Sequence, residues 1–337
     1  MRRAILSFEE FTSTYKQKKK CMESARRLFP LRPSKELAQL AAALMTDGHI
    51  DWRESDDNPR PTKLILYSNY KNECRWFLDL VYRLFSVKGR IVQYTSPSGF
   101  SEKPSFKAMI YSAQLARIFI KLGVPCGDKT NKAYLVPHWI INGNREIKSA
   151  FLRIMFNFDG SLSLKRQRQI SFVLSFSMNK QKNHLRNAAF FVEQIKEMLR
   201  QFGISAGKIH IRHCRRDKFT LILFVTNSRS ILNFHKYVGF LNKKKCAKLK
   251  FAVARINTYR RIKGVSHFLT QLKQKIGTDR ETVRKISALS KLSYTPRQFE
   301  HMRRGESHVP VDMLSTVLKL LGKENPDVLE FIGSREH

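Results

Sequence analysis

LAQLAAALMTDG, residues 37–48, and FLRIMFNFDG, residues 151–160, decide how this chain folds. In the first, Leu37, Leu40, Ala41 and Leu44 recur at helical spacing, and Ala38, Ala42 and Thr46 form a second, thin stripe. A helix with one greasy stripe and one of small residues can lie close against a neighbouring helix. It stops at Asp47-Gly48, glycine being the usual residue where a chain leaves its last helical turn. A carboxylate is thereby left at the negative end of the helix dipole, a poor place for an anion unless a cation shares it. The second stretch repeats the ending at Asp159-Gly160. Two such helices packed side by side bring the carboxylates together, and close carboxylates either share a proton or hold a divalent metal.

The surroundings of the two stretches also repeat. Residues 48–53 and 62–68 alternate as strands around a polar, proline-containing loop, and 72–86 read as an amphipathic helix through Trp76, Phe77, Leu80, Val81, Leu84 and Phe85. Strands over 89–95 and 105–111 and a short helix over 112–122 follow, and 131–144 closes the half. The second half predicts a helix at 145–158, strands at 160–164 and 169–177, and a helix at 181–202. Strands at 207–213 and 218–225 and a helix at 228–238 complete it. The order helix–strand–strand–helix–strand–strand–helix thus occurs twice with a spacing of about 110 residues, the signature of a duplicated module. Alternation sends Arg90, Val92 and Tyr94 one way and Ile91, Gln93 and Thr95 the other. A sheet built so can cover a core with one face and present polar and basic groups on the other.

Charge names the class of partner. Among 337 residues stand 63 Lys+Arg and 27 Asp+Glu, a formal +36, beside a hydrophobic content of 42% and 24 Phe. That composition folds, and so large a positive excess repels itself unless a polyanion neutralises it, which points to nucleic acid. No apolar run approaches the roughly 18 residues of a membrane span, and MRRAILSFEEF is too short an apolar start for a secretory signal. Cys21, Cys74, Cys126, Cys214 and Cys246 lie far apart with no CxxC pair, so neither a zinc knuckle nor a disulfide framework is indicated. The expected compartment is reducing: cytoplasmic and nucleoid-associated, or organellar, and not secreted.

The paired Asp-Gly stretches resemble the LAGLIDADG motif of homing endonucleases in its single-chain, two-motif form, over about residues 34–262. The resemblance implies an α+β fold, a duplicated αββαββα module forming a pseudo-twofold, saddle-shaped β-sheet. It implies a monomer that hydrolyses double-stranded DNA with Mg²⁺ or Mn²⁺ held by Asp47 and Asp159 and by backbone carbonyls at Gly48 and Gly160. It also implies lysines at the ends of the second strands, Lys71 and Lys180, organising catalytic water. Ile154 and Phe158 stand where the family has small residues, and Asn157 where an acid is common. Side chains suited to base edges and phosphates are Arg53, Lys63, Arg90, Gln93 and Lys107 in the first half. In the second half they are Lys165, Arg168, Lys208, His210, Arg212, Arg215 and Lys218.

Beyond residue 263 the pattern is wholly helical. Thr295-Pro296 reads as a helix start, with Thr at the N-cap and Pro at the first turn. With Arg303-Arg304-Gly305 and Pro310 after it, this segment is similar to the helix-turn-helix of the lambda-repressor-like family. That resemblance implies that Arg297, Gln298 and His301 face a DNA groove. The expected organisation is a basic helical extension (1–33, with a helix over 7–29), two LAGLIDADG halves (34–144 and 145–263) and an all-helical domain (264–337). Two functions remain open: an endonuclease that cuts duplex DNA, or a binder without cleavage, serving as a transcriptional regulator or an RNA maturase on intron RNA.

Overall fold

The computed structural model describes residues 4–14, 25–53, 60–94, 104–166, 170–215, 217–259, 261–262, 265–290 and 293–323. The chain divides into two units, Met1–Leu249 and Lys250–His337. The division falls inside the helix Lys243–Tyr259, earlier than the boundary expected at 263.

In the first unit the two motif helices run over Lys35–Met45 and Arg145–Asp159 and pack directly on each other. Each starts on a side-chain cap: Ser34 Oγ accepts from the Leu37 amide at 3.1 Å and Asn144 Oδ1 from the Ile147 amide at 3.1 Å. The first helix brings alanines 38, 41, 42 and 43, all without exposed surface, and the second brings Phe151, Leu152, Ile154, Met155 and Phe156. Ile154 is fully buried, and small residues on one helix leave room for large ones on its neighbour. Phe156 in turn meets Phe176 and Phe234 at centroid distances of 5.6 and 5.1 Å.

Each motif helix turns straight into a four-stranded antiparallel sheet. The first sheet has β1 (Gly48–Arg53), β2 (Arg60–Ser68), β3 (Arg90–Tyr94) and β4 (Ser105–Ile110) in the order β1-β2-β4-β3. The second has β5 (Gly160–Arg166), β6 (Ile170–Gln181), β7 (Ile209–Arg215) and β8 (Lys218–Val225) in the matching order β5-β6-β8-β7. Helices Lys71–Phe85 and Ala113–Lys121 serve the first half, and Leu185–Arg200 and Ser228–Tyr237 the second. β6 continues to Gln181 because its pairing with β8 persists through Gln181↔Lys218, so the next helix begins at Leu185 and not at 181. Of the helix expected over 7–29, Phe8–Thr14 is formed. Residues 15–24 lie outside the described residues, as do the polar loop at 54–59 and the turn at 95–103.

In the second unit, helices Ser266–Ile276, Asp279–Leu289, Pro296–Arg303 and Val311–Leu321 enclose Leu269, Leu272, Ile286, Phe299, Met313 and Leu314. Thr295 caps its helix and Gln298 answers it: Oγ1 accepts from the Gln298 amide at 3.2 Å, and Gln298 Oε1 accepts from the Thr295 amide at 2.9 Å. No helix among the described residues is long and apolar enough to cross a membrane.

The tight passage from helix to strand demands glycine. An added Cβ would lie 2.5 Å from the Ala43 carbonyl oxygen at Gly48 and 2.4 Å from that of Phe156 at Gly160. Gly48→Ala and Gly160→Ala are each expected to lose about 1–3 kcal/mol of stability through overpacking, read by urea denaturation. Gly207→Ala, whose new carbon would have its nearest neighbour at 3.6 Å, serves as the near-neutral control.

Candidate functional site

The geometry is set where the motif helices end. Lys129 sends its ammonium to the first tip, donating to the carbonyls of Thr46, Gly48 (2.6 Å) and Leu44 (3.3 Å). Lys245 does the same at the second, donating to the carbonyls of Asn157 (2.5 Å) and Gly160 (2.6 Å). Each lysine follows the helix that comes after the fourth strand of its own half. Both satisfy carbonyls that a helix end leaves unpaired and set a cation against the negative end of its dipole.

Asp47 and Asp159 lie within electrostatic reach of each other and of both lysines. Burial raises the Asp159 pKa, Asp47 raises it further, and Lys129 and Lys245 oppose the rise. Asp47 keeps an exposed edge, yet the chain crowds it enough that burial is the leading cause of its raised pKa; Lys129 and Lys245 again pull down, and Glu73 pushes up. Lys129 and Lys245 are lowered by burial and held up by the two aspartates, with Glu73 adding its hold on Lys245. Two carboxylates and two ammonium groups therefore form one cluster.

The sheets present their outward faces beyond these tips. Register puts Lys63, Tyr67, Arg90, Tyr94 and Lys107 on one face of the first sheet. There Arg90 and Lys63 lie over the Tyr111 ring at 5.3 and 5.8 Å, and Lys107 over Tyr94 at 5.6 Å. Gln93 departs from this set: it pairs with Phe106, on the opposite face from Arg90 and Lys107. On the second sheet His210, Arg212, Arg215 and Lys218 share a face with Ser175, Ser177, Asn179 and Thr220. Arg212, Arg215, Lys218, Asn179 and Thr130 line a shallow pocket there, and Lys208 is exposed just before β7. The side chains of Arg53 and Lys165, and the whole of Arg168, lie outside the described residues.

The two expected lysines sit in unlike surroundings. Lys71 is exposed at the start of its helix. Lys180 is fully buried, donates to the carbonyls of Lys129 (2.6 Å) and Lys132, and lies 3.8 Å from the Tyr134 ring centroid. Burial lowers its pKa to about 8, with Asp128 opposing and Lys129 adding. In the second unit Gln298 is engaged by its own helix cap, His301 Nδ1 meets Glu306 Oε2, and Arg297 is exposed.

Comparison with known proteins names the fold. The family model for a LAGLIDADG-like domain matches residues 146–239, from the second motif helix through the helix after β8. This stretch is a LAGLIDADG-like domain. The first half repeats its strand order around Asp47. Curated relatives include the tRNA-splicing ligase RtcB of Methanopyrus kandleri, 26% identical over 246 residues, and that of Pyrococcus abyssi, 26% identical over 149. These alignments take in 70% and 44% of this chain, but the chain spans only 24% and 16% of the ligases. DNA-directed RNA polymerase subunit Rpo1N of Methanocaldococcus jannaschii is 27% identical over 159 residues, 47% of this chain and 12% of that protein. Among solved structures, the homing endonuclease I-DmoI in complex with DNA and Ca superposes with a TM-score of 0.44 at 16% identity, covering 64% of this chain and 97% of that one. Full-length DUF199/WhiA from Thermatoga maritima gives 0.40 at 16% identity, covering 93% and 89%.

Homing endonucleases of the LAGLIDADG family imply a divalent cation, and the donors here fit it in part. Mg²⁺ takes few carboxylates and fills its shell with water and substrate phosphate, which Asp47 and Asp159 suit. The helix-tip carbonyls do not: those of Gly48 and Gly160, expected as ligands, already accept from Lys129 and Lys245. No cluster of three or more His, Cys, Asp or Glu among the described residues adds to the two aspartates.

Lys129 and Lys245 were hidden from pattern reading because neither lies in a periodic element that repeats; their shared place after the last helix of each half was the available signal. Lys129→Met strands buried tip carbonyls and is expected to lower stability by about 1–3 kcal/mol, whereas Lys71→Met leaves it unchanged; thermal denaturation of both variants checks this.

Proposed function

We propose that this chain binds double-stranded DNA along the outward faces of its two sheets and hydrolyses a phosphodiester in each strand at Asp47 and Asp159. The observation that carries the reading is the convergence of two Asp-Gly helix tips, each braced by its own lysine, in a chain of formal charge +36. A binder has no need of two anions where phosphates approach.

Asp47 and Asp159 would hold a divalent cation, which would polarise the phosphoryl oxygen and ease deprotonation of the attacking water. Burial raises both carboxyl pKa values, and Lys129 and Lys245 oppose the rise, which moves each back toward the ionised form that binds cations. By tying down the tip carbonyls they also fix the direction in which each carboxylate points. Lys63, Arg90 and Lys107 on one sheet, and His210, Arg212, Arg215 and Lys218 on the other, neutralise phosphates on either side of the cut. With both halves in one polypeptide, the working form is a monomer. The second unit adds a helix-turn-helix contact through Arg297.

One observation favours a second reading, binding without cleavage as a regulator or an RNA maturase: the lysines occupy the tip carbonyls that would otherwise complete a metal shell. Incubation of the full chain with its own uninterrupted locus in Mg²⁺ or Mn²⁺, against EDTA, separates the two. Double-strand cutting is expected with metal, lost with EDTA and reduced by about 100-fold or more in Asp47→Asn and Asp159→Asn, with duplex affinity kept or tightened. Cutting that survives the double variant overturns the assignment of the aspartates, and intact DNA in every arm leaves the binder. Affinity falls steeply with salt, as several phosphates are neutralised.

A further inference from the structure

Two buried charged side chains sit beneath the tips and touch neither aspartate. Glu73, 7% exposed in the first turn of the helix after β2, accepts through Oε1 from the side-chain amides of Asn242 (2.9 Å) and Asn157 (3.1 Å). Its Oε2 accepts from Ser68 Oγ. Asn157 belongs to the second motif helix, and its Oδ1 accepts from the backbone amides of Asn242 (2.7 Å) and Leu241 (3.1 Å). Asn242 Oδ1 accepts from the amides of Lys244 and Lys245 at 2.9 and 3.2 Å, capping the helix that carries Lys245. A carboxylate of the first half is thus the hub that seats the lysine bracing the second tip.

The converse holds at the first tip. Lys180, on β6 of the second half, has no exposed surface and holds the carbonyls of Lys129 and Lys132. Those residues form the segment from which Lys129 reaches Thr46 and Gly48. The bracing is reciprocal: each tip is seated through its lysine by a buried charge from the other half. Stability alone is a weak reason to bury such groups, because an apolar side chain of similar volume is often as good. A buried, satisfied polar network does fix one geometry against its neighbours.

We infer that Glu73 and Lys180 are positioning residues that make the two halves of the cutting site interdependent, Glu73 serving the Asp159 tip and Lys180 the Asp47 tip. The inference rests on the endonuclease reading for its consequence in cleavage, but not for its structural content. Loss of either residue loosens the tip across the midline and spares the nearer one.

Two measurements on the full chain test this. Amide hydrogen exchange in the free protein is expected to rise about 10-fold at 157–160 and 241–246 in Glu73→Ala, with 44–48 and 129–132 unchanged. Lys180→Met reverses the pattern. Glu73→Gln, whose amide oxygen still accepts from both asparagines, exchanges like the natural chain. Should Glu73→Ala not fold, Glu73→Asp, which withdraws the carboxylate by one methylene, is read the same way. Equal loosening at both tips, loosening at the nearer tip only, no change at either, or a Gln variant as loose as Ala overturns the inference. In strand-resolved cleavage, Glu73→Ala biases nicking as Asp159→Asn does, and Lys180→Met as Asp47→Asn does, each with kcat down about 10-fold at unchanged KM; the opposite strand bias also overturns it. If the natural chain cuts no DNA with any metal, the endonuclease reading fails while hydrogen exchange still decides the bracing.

Discussion

Two helices that end side by side concentrate like charge: two negative dipole ends and two carboxylates in one small volume. Continuum electrostatics makes such a meeting unfavourable unless cations enter it. Here Lys129 and Lys245 enter from the last segment of each half, and hydrogen-bond the tip carbonyls rather than the carboxylates. That choice matters. An ammonium bonded to a carboxylate would mask it, whereas one bonded to the adjacent carbonyls offsets the local field without taking up the carboxylate. Burial still raises both aspartates, Asp159 to about 7, against the pull of the two lysines.

The same tips set the sheets. Gly48 and Gly160 are the first residues of β1 and β5, paired with Leu66 and Phe176, so no flexible linker separates an aspartate from the strand beside it. Whatever docks on the outward faces is therefore registered to the aspartates within a residue or two. The faces differ in chemistry. The first stacks lysine and arginine on tyrosine rings, the second sets serine, threonine and asparagine beside a basic edge. Rings and hydroxyls read different groups on a base pair, so on the proposed reading a duplex across both would meet two unlike half-sites.

Much of this was legible in the chain. Helical spacing ending in Asp-Gly gave both tips, because a core-facing stripe and a glycine exit have fixed chemical signatures. Alternation gave eight strands in their order, and even separated Gln93 from Arg90, since neighbours of opposite parity on a strand face opposite ways. What stayed hidden depends on long-range geometry. Lys71 and Lys180 look alike in the sequence, yet Lys71 opens a helix and is exposed while Lys180 lies within β6 and is fully buried, a difference no local pattern records. Lys245 stands in the basic run NKKKCAKLK, where only the three-dimensional path distinguishes it from its solvated neighbours. Asn157, read as a departure from an acidic position, is the residue through which Glu73 reaches the second half. An aspartate there would face Glu73 and could not donate.

Charge balance also bears on the proposed chemistry. In the free protein two carboxylates meet two ammonium groups, and the buried Glu73 is matched by hydrogen-bond donors rather than by a third cation in contact. A scissile phosphate brought to each aspartate adds two negative charges to a cluster in which Glu73 already acts on Asp47 and Lys245. The basic strands, on the proposed reading, attract the rest of the duplex, but their side chains lie on the sheet faces, and Lys129 and Lys245 already donate to the tip carbonyls. On the proposed reading, the anions at Asp47 and Asp159 are tolerable next to DNA only if further positive charge arrives with the substrate. Such a site is short of positive charge once phosphates are present, and its aspartates disfavour DNA until a cation joins it.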